Sequence, residues 1–108
     1  MKRLALILVS VAAISLAAAD EQTSPSGATL FQKHCGYCHL PGGTGTFMLE
    51  RRLGKERALL AERRDLPQAY VEHVVRNGLQ SMPALTRVEV TDSELTALAS
   101  WLARNTPQ

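Results

Sequence analysis

The sequence is poor in aromatic residues, contains only two cysteines, and has no apolar run as long as a typical membrane span. Of its 108 residues, 5% are aromatic, 45% hydrophobic and 20% charged. This balance excludes a disordered chain and a protein with several membrane spans. The length allows one domain at most, which excludes an enzyme that combines a dinucleotide-binding domain with a substrate domain. A domain this short is marginal unless a cofactor, disulfide or partner adds to its core.

The longest apolar run lies at the N-terminus and has the organisation of a secretory signal peptide. A basic head at residues 2–3 precedes an apolar run at residues 4–16, and three alanines end at Ala19. We therefore predict a signal peptide over residues 1–19 that is cleaved after export to the periplasm. An uncleaved anchor is the alternative, but the run is short for a membrane span. No membrane span is expected once the signal peptide is removed.

Cleavage would also remove the excess of positive charge. The chain has 12 Lys and Arg against 10 Asp and Glu, and Lys2 and Arg3 are lost with the signal peptide. The mature protein then has a formal net charge of zero. The basic balance of the precursor is therefore no argument for nucleic-acid binding.

Helical patterns dominate residues 27–105, which we predict to form one domain after a flexible polar leader at residues 20–26. A first helix is expected from Ala28 to about Cys35, followed by a glycine-rich loop at residues 40–46. No segment alternates over five or more residues as a strand would, so the predicted class is all-α.

Three further helices are predicted after the glycine-rich loop. A charged helix would cover residues 54–64. The next would run from about Pro67 to Asn77, because proline suits the first turn and Gly78 suits the position after the end. The last begins with a capping box at residues 91–94 and continues with leucines at helical spacing.

Residues 35–39 read Cys-Gly-Tyr-Cys-His, the C-x-x-C-H signature of covalent haem attachment. Thiols three residues apart on a tight turn lie on one side, so Cys35 and Cys38 can each add to one haem vinyl group. His39 is then held against the face of the ring, where an imidazole nitrogen can ligate the iron. We therefore predict one covalently bound haem c.

Three other interpretations of the motif remain open. The cysteines would form a redox-active disulfide in a thioredoxin-like protein, but this chain lacks the βαβ framework. They would bind zinc with His34 and His39, but four ligands within six residues strain a tetrahedral site. The third interpretation is coincidence, against which export, helical class and short length all argue.

A low-spin electron carrier needs a second axial ligand, for which Met48, Met82, His34 and His73 are candidates. Met82 is favoured because it lies between the last two helices and precedes Pro83, which biases it to an extended conformation. Such a loop can hold a thioether pointing inward. Met82 could instead fill a gap in the core, as methionines often do.

A basic run follows the glycine-rich loop: Arg51, Arg52, Lys55, Arg57, Arg63 and Arg64. Arg52 is our predicted partner of a haem propionate, since a guanidinium binds a carboxylate through two parallel hydrogen bonds, and Arg51 is nearly as suitable. The run could also steer an acidic partner protein or form a solvated helix face.

The chain resembles the class I c-type cytochromes from Gly27 to about Asn105. Three groups of residues carry the resemblance: Gly27-x-x-x-Phe31-x-x-x-Cys35, Leu98 with Trp101, and Ser81-Met82-Pro83. It implies three to five helices around one covalently attached haem, with His39 and Met82 as iron ligands and a close helix crossing at Gly27. Many members have Gly-Pro where this chain has Gly45-Thr46, so the Thr46 carbonyl is expected to accept the second N–H of the histidine.

A narrower resemblance is to the small cytochrome subunit of flavocytochromes of the p-cresol methylhydroxylase and eugenol hydroxylase type. It is carried by residues 70–78 (YVEHVVRNG), 82–84 (MPA) and 92–96 (DSELT). It implies electron transfer from an FAD-containing subunit that oxidises para-alkylphenols, and from the cytochrome to a downstream acceptor. The alternatives are a free periplasmic electron carrier and a haem enzyme or gas sensor. The last needs an open iron site, which a Met82 ligand would close.

Overall fold

The structure is a computed structural model that describes residues 24–107. Within this range four α-helices follow one another: α1 Gly27–His39, α2 Thr44–Leu53, α3 Gln68–Asn77 and α4 Asp92–Ala103. Two short 3₁₀ turns, Lys55–Arg57 and Leu60–Glu62, join α2 to α3. No strand forms between residues 24 and 107, and the predicted all-α class is confirmed.

The predicted signal peptide lies outside the described residues, as does most of the predicted leader at residues 20–26. Both therefore stay predictions. Among residues 24–107, no helix combines the length and the apolar character needed to cross a bilayer.

The first helix is longer, and the loop after it shorter, than the sequence predicts. α1 continues through Gly36 to His39 instead of ending near Cys35, because packing of its earlier turns on α4 outweighs the low helix propensity of one glycine. α2 was not predicted from the sequence: it begins at Thr44, inside the predicted loop, and ends at Leu53, before the predicted charged helix. Thr46 is buried there, and its hydroxyl donates a 2.9 Å hydrogen bond to the Leu40 carbonyl, which holds the shortened loop against the end of α1.

The prediction of a charged helix over residues 54–64 is wrong. The two 3₁₀ turns occupy this segment, and Leu59 between them is extended. Tertiary contacts override the local helix propensity: Ala58 is buried, and the Ala61 carbonyl accepts a 2.9 Å hydrogen bond from the Arg104 side chain. The later helices agree closely with their predictions, except that Pro67 caps α3 instead of starting it.

α1 and α4 cross closely at Gly27. A Cβ atom added to this glycine would lie 2.5 Å from the Ala97 carbonyl oxygen and 2.5 Å from the Trp101 Cβ. Farther along α1, Phe31 is fully buried and its ring centroid lies 5.3 Å from that of Trp101. This crossing confirms the close contact that the cytochrome resemblance implies, and it fixes the direction in which the last turn of α1 points.

The core lies between α1, α3 and α4, with Leu66 and Val90 from the connecting segments. Its fully buried members are apolar: Leu30, Phe31, Leu66, Val71, Val75, Val90, Leu95, Leu98, Ala99 and Leu102. α4 begins with the predicted capping box, in which Thr91 and Glu94 bond each other's backbone N–H groups. One side of this core is left open between α1, α2 and α3, and the functional side chains collect there.

We expect Gly27→Ala to destabilise the haem-loaded protein by about 1–3 kcal/mol, because the new methyl group overlaps backbone that cannot move aside. Guanidinium unfolding followed by circular dichroism measures this. Gly36→Ala, in the same helix, is the matched control. Its Cβ meets only the half-exposed Leu40 side chain, and alanine favours the helix by about 1 kcal/mol, so its stability should be unchanged or higher. Equal losses for both variants would contradict this account of the crossing.

Candidate haem-binding site

The last turn of α1 presents Cys35, Cys38 and His39. The sequence predicts a tight turn here, whereas the structure has a regular helix. The consequence for the side chains is the same, since residues at i, i+3 and i+4 lie on one helical face. The C-x-x-C-H spacing thus places two thiols and an imidazole side by side.

Two adjoining cavities, of about 260 and 340 Å³, lie in front of this helical face. Cys35 lines the first and Cys38 lines the second. Five residues line both: His39, Leu49, Arg52, Leu79 and Met82. All five site residues predicted from the sequence therefore lie around one continuous cleft.

The first cavity has a composition that suits haem. Its wall is made largely of Phe, Leu and Val side chains from the four helices and the segments between them. Within residues 24–107, its only charged lining residues are Arg52, Arg57 and Arg63, and no aspartate or glutamate lines it. An apolar cleft with a cationic lining fits a flat apolar molecule that carries carboxylates, which describes a haem with its two propionates. His39 and Met82 add the donor types that ligate iron in cytochromes c.

A tight turn holds Met82 at the cleft. Leu79 and Met82 exchange two backbone hydrogen bonds, each 3.0 Å long, and form an isolated antiparallel bridge. Gly78, at φ 75°, permits this turn, because a Cβ there would lie 2.8 Å from the Met82 carbonyl oxygen. A 2.7 Å hydrogen bond from the Leu85 N–H to the Val75 carbonyl ties the following chain to α3. The non-helical position predicted for Met82 is confirmed.

The other candidate ligands are placed less favourably. Met48 is half-exposed and lines only the second cavity. His34 faces α4, where its Nε2 lies 3.3 Å from Glu94 Oε1. His73 is exposed beside Asn77 and lines neither cavity.

His39 is placed as a neutral imidazole, because burial lowers its pKa. Gly45 packs against the ring, and a Cβ there would lie 2.8 Å from the His39 Cε1 atom. The buried Nδ1 has no hydrogen-bond partner among the described residues, so the predicted bond to the Thr46 carbonyl is absent. The reason is that Thr46 lies within α2, where a carbonyl points along the helix toward the residue four positions on.

Both cysteines are free thiols, so the disulfide interpretation is not supported. Burial, and secondarily the charge of Cys38, raises the pKa of Cys35 to about 11. The zinc interpretation also fails, because His34 is turned toward Glu94. Across residues 24–107, no group of three or more His, Cys, Asp or Glu side chains is arranged to hold a metal ion.

The structure separates the members of the basic run. Arg52 lines both cavities, whereas Arg51 lines neither and lies over the Phe47 ring at 5.7 Å. Arg57 and Arg63 also line the first cavity, and sequence reasoning did not distinguish them from their neighbours. The signal that could have found them is Asp65, the first acid after Arg63, which pairs with both.

Comparison with known proteins agrees with this geometry. Residues 22–102 match the family model described as cytochrome c oxidase, cbb3-type, subunit III. The cytochrome c subunit of the hydroxylating 4-cresol dehydrogenase of Pseudomonas putida is 39% identical over 88 residues, which cover 81% of this chain. The chain spans 66% of the length of that subunit.

Two crystal structures of p-cresol methylhydroxylase also match, one of them with substrate bound. Each superimposes with a TM-score of 0.55 at 37% identity. The matches cover 76% and 77% of this chain, and 94% and 95% of the matched chains. The predicted cytochrome fold is thereby confirmed. With C-x-x-C-H facing a cleft that fits haem, these matches establish that the chain belongs to the c-type cytochrome family and carries haem c as its cofactor.

Proposed function

We propose that this cytochrome is the electron-accepting subunit of a periplasmic FAD-dependent enzyme that hydroxylates or dehydrogenates para-alkylphenols. The observation that carries this proposal is the 39% identity to the cytochrome subunit of a hydroxylating 4-cresol dehydrogenase. The likeness to p-cresol methylhydroxylase structures agrees with it. The chain transfers electrons and is not the catalytic subunit, so the phenol would be oxidised entirely by the partner.

The proposed haem site uses the five residues around the cleft. Cys35 and Cys38 would hold the macrocycle through thioether bonds, His39 and Met82 would ligate the iron, and Arg52 would bind a propionate. The support is geometric: α1 supplies the first three side chains, the turn after α3 supplies the fourth, and both cavities meet between them. When bound, haem would supply a one-electron couple. A flavin reduced by two electrons would therefore need two transfers, with the downstream acceptor taking the first electron before the second arrives.

The surface beside the cleft suits a protein partner. Tyr37 next to Cys38 is almost fully exposed, and Phe47 and Met48 on α2 are about half-exposed. Exposed apolar side chains grouped near a binding cleft are typical of protein interaction sites. A docked flavoprotein would cover them and bring its flavin close to the haem edge.

A free periplasmic carrier is the second candidate function. The zero net charge expected for the mature protein argues against it, because carriers that reach several partners by long-range steering gain from a field of one sign. The local basic run on α2 and the 3₁₀ turns is the observation that favours it.

We expect Cys35→Ala and Cys38→Ala each to impair covalent attachment, since each variant loses one thioether bond, and the double variant to release all of its haem. Extraction of the denatured protein with acid acetone measures this, because it removes only haem that is not covalently bound. The wild type should keep its haem. Complete extraction from the wild type would overturn the proposed site.

Met82→Ala should keep the haem attached and change the iron ligation. The weak sulfur-to-iron charge-transfer band of the ferric protein should disappear, and the reduction potential should fall, because a thioether ligand favours the ferrous state. Absorbance spectra and redox titration measure both effects. Met48→Ala is the matched control and should leave band and potential unchanged. If Met48→Ala lost the band and lowered the potential while Met82→Ala changed neither, Met48 would be the ligand.

The subunit proposal predicts a stable complex. Size-exclusion chromatography of native periplasmic extract should show haem c eluting together with a flavin signal, and addition of a para-alkylphenol should reduce the haem in those fractions. Haem c found only at the size of the monomer, with no flavoprotein able to reduce it rapidly, would favour the free carrier.

A further inference from the structure

We propose that Arg57 and Arg63, positioned by Asp65, form a second anion-binding element of the haem cleft. Arg52 would bind one haem propionate, and Arg57 and Arg63 would bind the other. Asp65 acts through the two arginines and is a positioning residue. The inference rests on the proposed function, since it requires haem in the cleft.

The cluster is a shared ion pair between one acid and two arginines. Arg63 binds Asp65 through both ends of its fork, with Nε 2.7 Å from Oδ1 and Nη2 3.0 Å from Oδ2. Arg57 donates from its Nη2 to the same Oδ2. Two positive charges on one carboxylate leave a net charge of +1, and the arrangement fixes the planes of both guanidinium groups.

The cluster lies at the cleft with one anion for two cations. Arg57 and Arg63 both line the first cavity, and no acidic residue in the described part of the chain lines it. The Arg63 side chain is only 10% exposed, so little water is available to solvate its charge. A guanidinium buried to this degree needs an anion as its partner. Asp65 is the partner of two guanidinium groups, so it neutralises only one of the two positive charges. A carboxylate entering the cleft would complete the pairing.

The segment that carries the cluster is fixed to the end of α4, which preorganises it. The Arg104 guanidinium lies 4.1 Å from the centroid of the Trp101 ring and donates a 2.9 Å hydrogen bond to the Ala61 carbonyl. The Leu66 N–H donates a 3.0 Å hydrogen bond to the Thr106 hydroxyl. These contacts hold the backbone on both sides of Arg63, so its side chain is presented from a rigid base.

The charge of the cluster is constant over the ordinary pH range. Hydrogen bonds from Arg63 and then Arg57 lower the pKa of Asp65 to about 2. The other ionisable or charged residues that line the first cavity are Cys35, His39, Arg52 and Tyr70. None of these is an aspartate or a glutamate, so within residues 24–107 the cavity wall adds no carboxylate beside Arg63.

A purely structural interpretation makes a different prediction. If the ion pairs only join the two 3₁₀ turns, their loss changes the stability of the protein and leaves the haem unaffected. If they face a propionate, their loss changes the electrostatic potential at the iron, since charges in a partly desolvated cleft are weakly screened. The reduction potential therefore distinguishes the two.

The experiment is a redox titration of the haem-loaded protein from pH 5 to pH 9 at constant ionic strength. Arg63→Gln removes a positive charge and should lower the potential, whereas Asp65→Asn removes a negative charge and should raise it. Arg63→Gln should also make the potential fall more steeply with rising pH, because a propionate without its arginine has a higher pKa. Arg63→Lys keeps the positive charge, so its reduction potential should stay nearer that of the wild type.

Asp92→Asn is the matched control. Asp92 also binds two arginines, with Arg76 and Arg87 each 2.8 Å away, yet it lines neither cavity. The Asp92→Asn variant should therefore have the same reduction potential as the wild type. Arg57→Gln, which changes a half-exposed side chain, should shift the potential in the same direction as Arg63→Gln and serves if that variant does not fold.

Shifts no larger than that of Asp92→Asn, with altered stability alone, would overturn the inference and leave the proposed function intact. A wild-type protein without covalently attached haem would instead overturn the proposed function. The two failures are therefore distinguishable in one set of preparations.

Discussion

The close crossing of α1 and α4 at Gly27 is the contact on which the rest of the structure depends. Two helices approach backbone to backbone there, and Phe31 and Trp101 pack beside the crossing. The crossing sets the direction of α1, and the direction of α1 decides where its last turn lies. The attachment motif faces the cleft because the opposite end of its helix is held in place.

Each side of the cleft is supplied by an element with its own anchor. α1 is held by α4, the Met82 turn is held by hydrogen bonds to itself and to α3, and the 3₁₀ segment is held by the end of α4. The cleft between them is apolar, and the charged groups that the described residues contribute to it are all arginines. Such a cavity is an incomplete core, which explains how so short a chain forms a domain: the cofactor supplies the missing apolar surface.

The predicted site residues meet around one cleft, whereas the local structure around them was predicted less well. C-x-x-C-H and Met82-Pro83 carry information in a few residues, because residue type and spacing alone decide which groups can meet the iron. Residues 54–64 show the opposite case. Their composition favours a helix, but Arg104 binds them across a distance in sequence that no local pattern records. The Thr46 carbonyl was mispredicted because α2, which begins at Thr44 directly after two glycines, was not predicted from the sequence.

The hydrogen bond between Leu66 and Thr106 links the wall of the cleft to the last few described residues. Because α4 also anchors α1, both ends of the domain meet around one cofactor. The chain is synthesised from its N-terminus, so the attachment motif exists long before the residues that close the cleft around it. The wall of the cleft is therefore complete only when α4 packs on α1 and Thr106 bonds to Leu66.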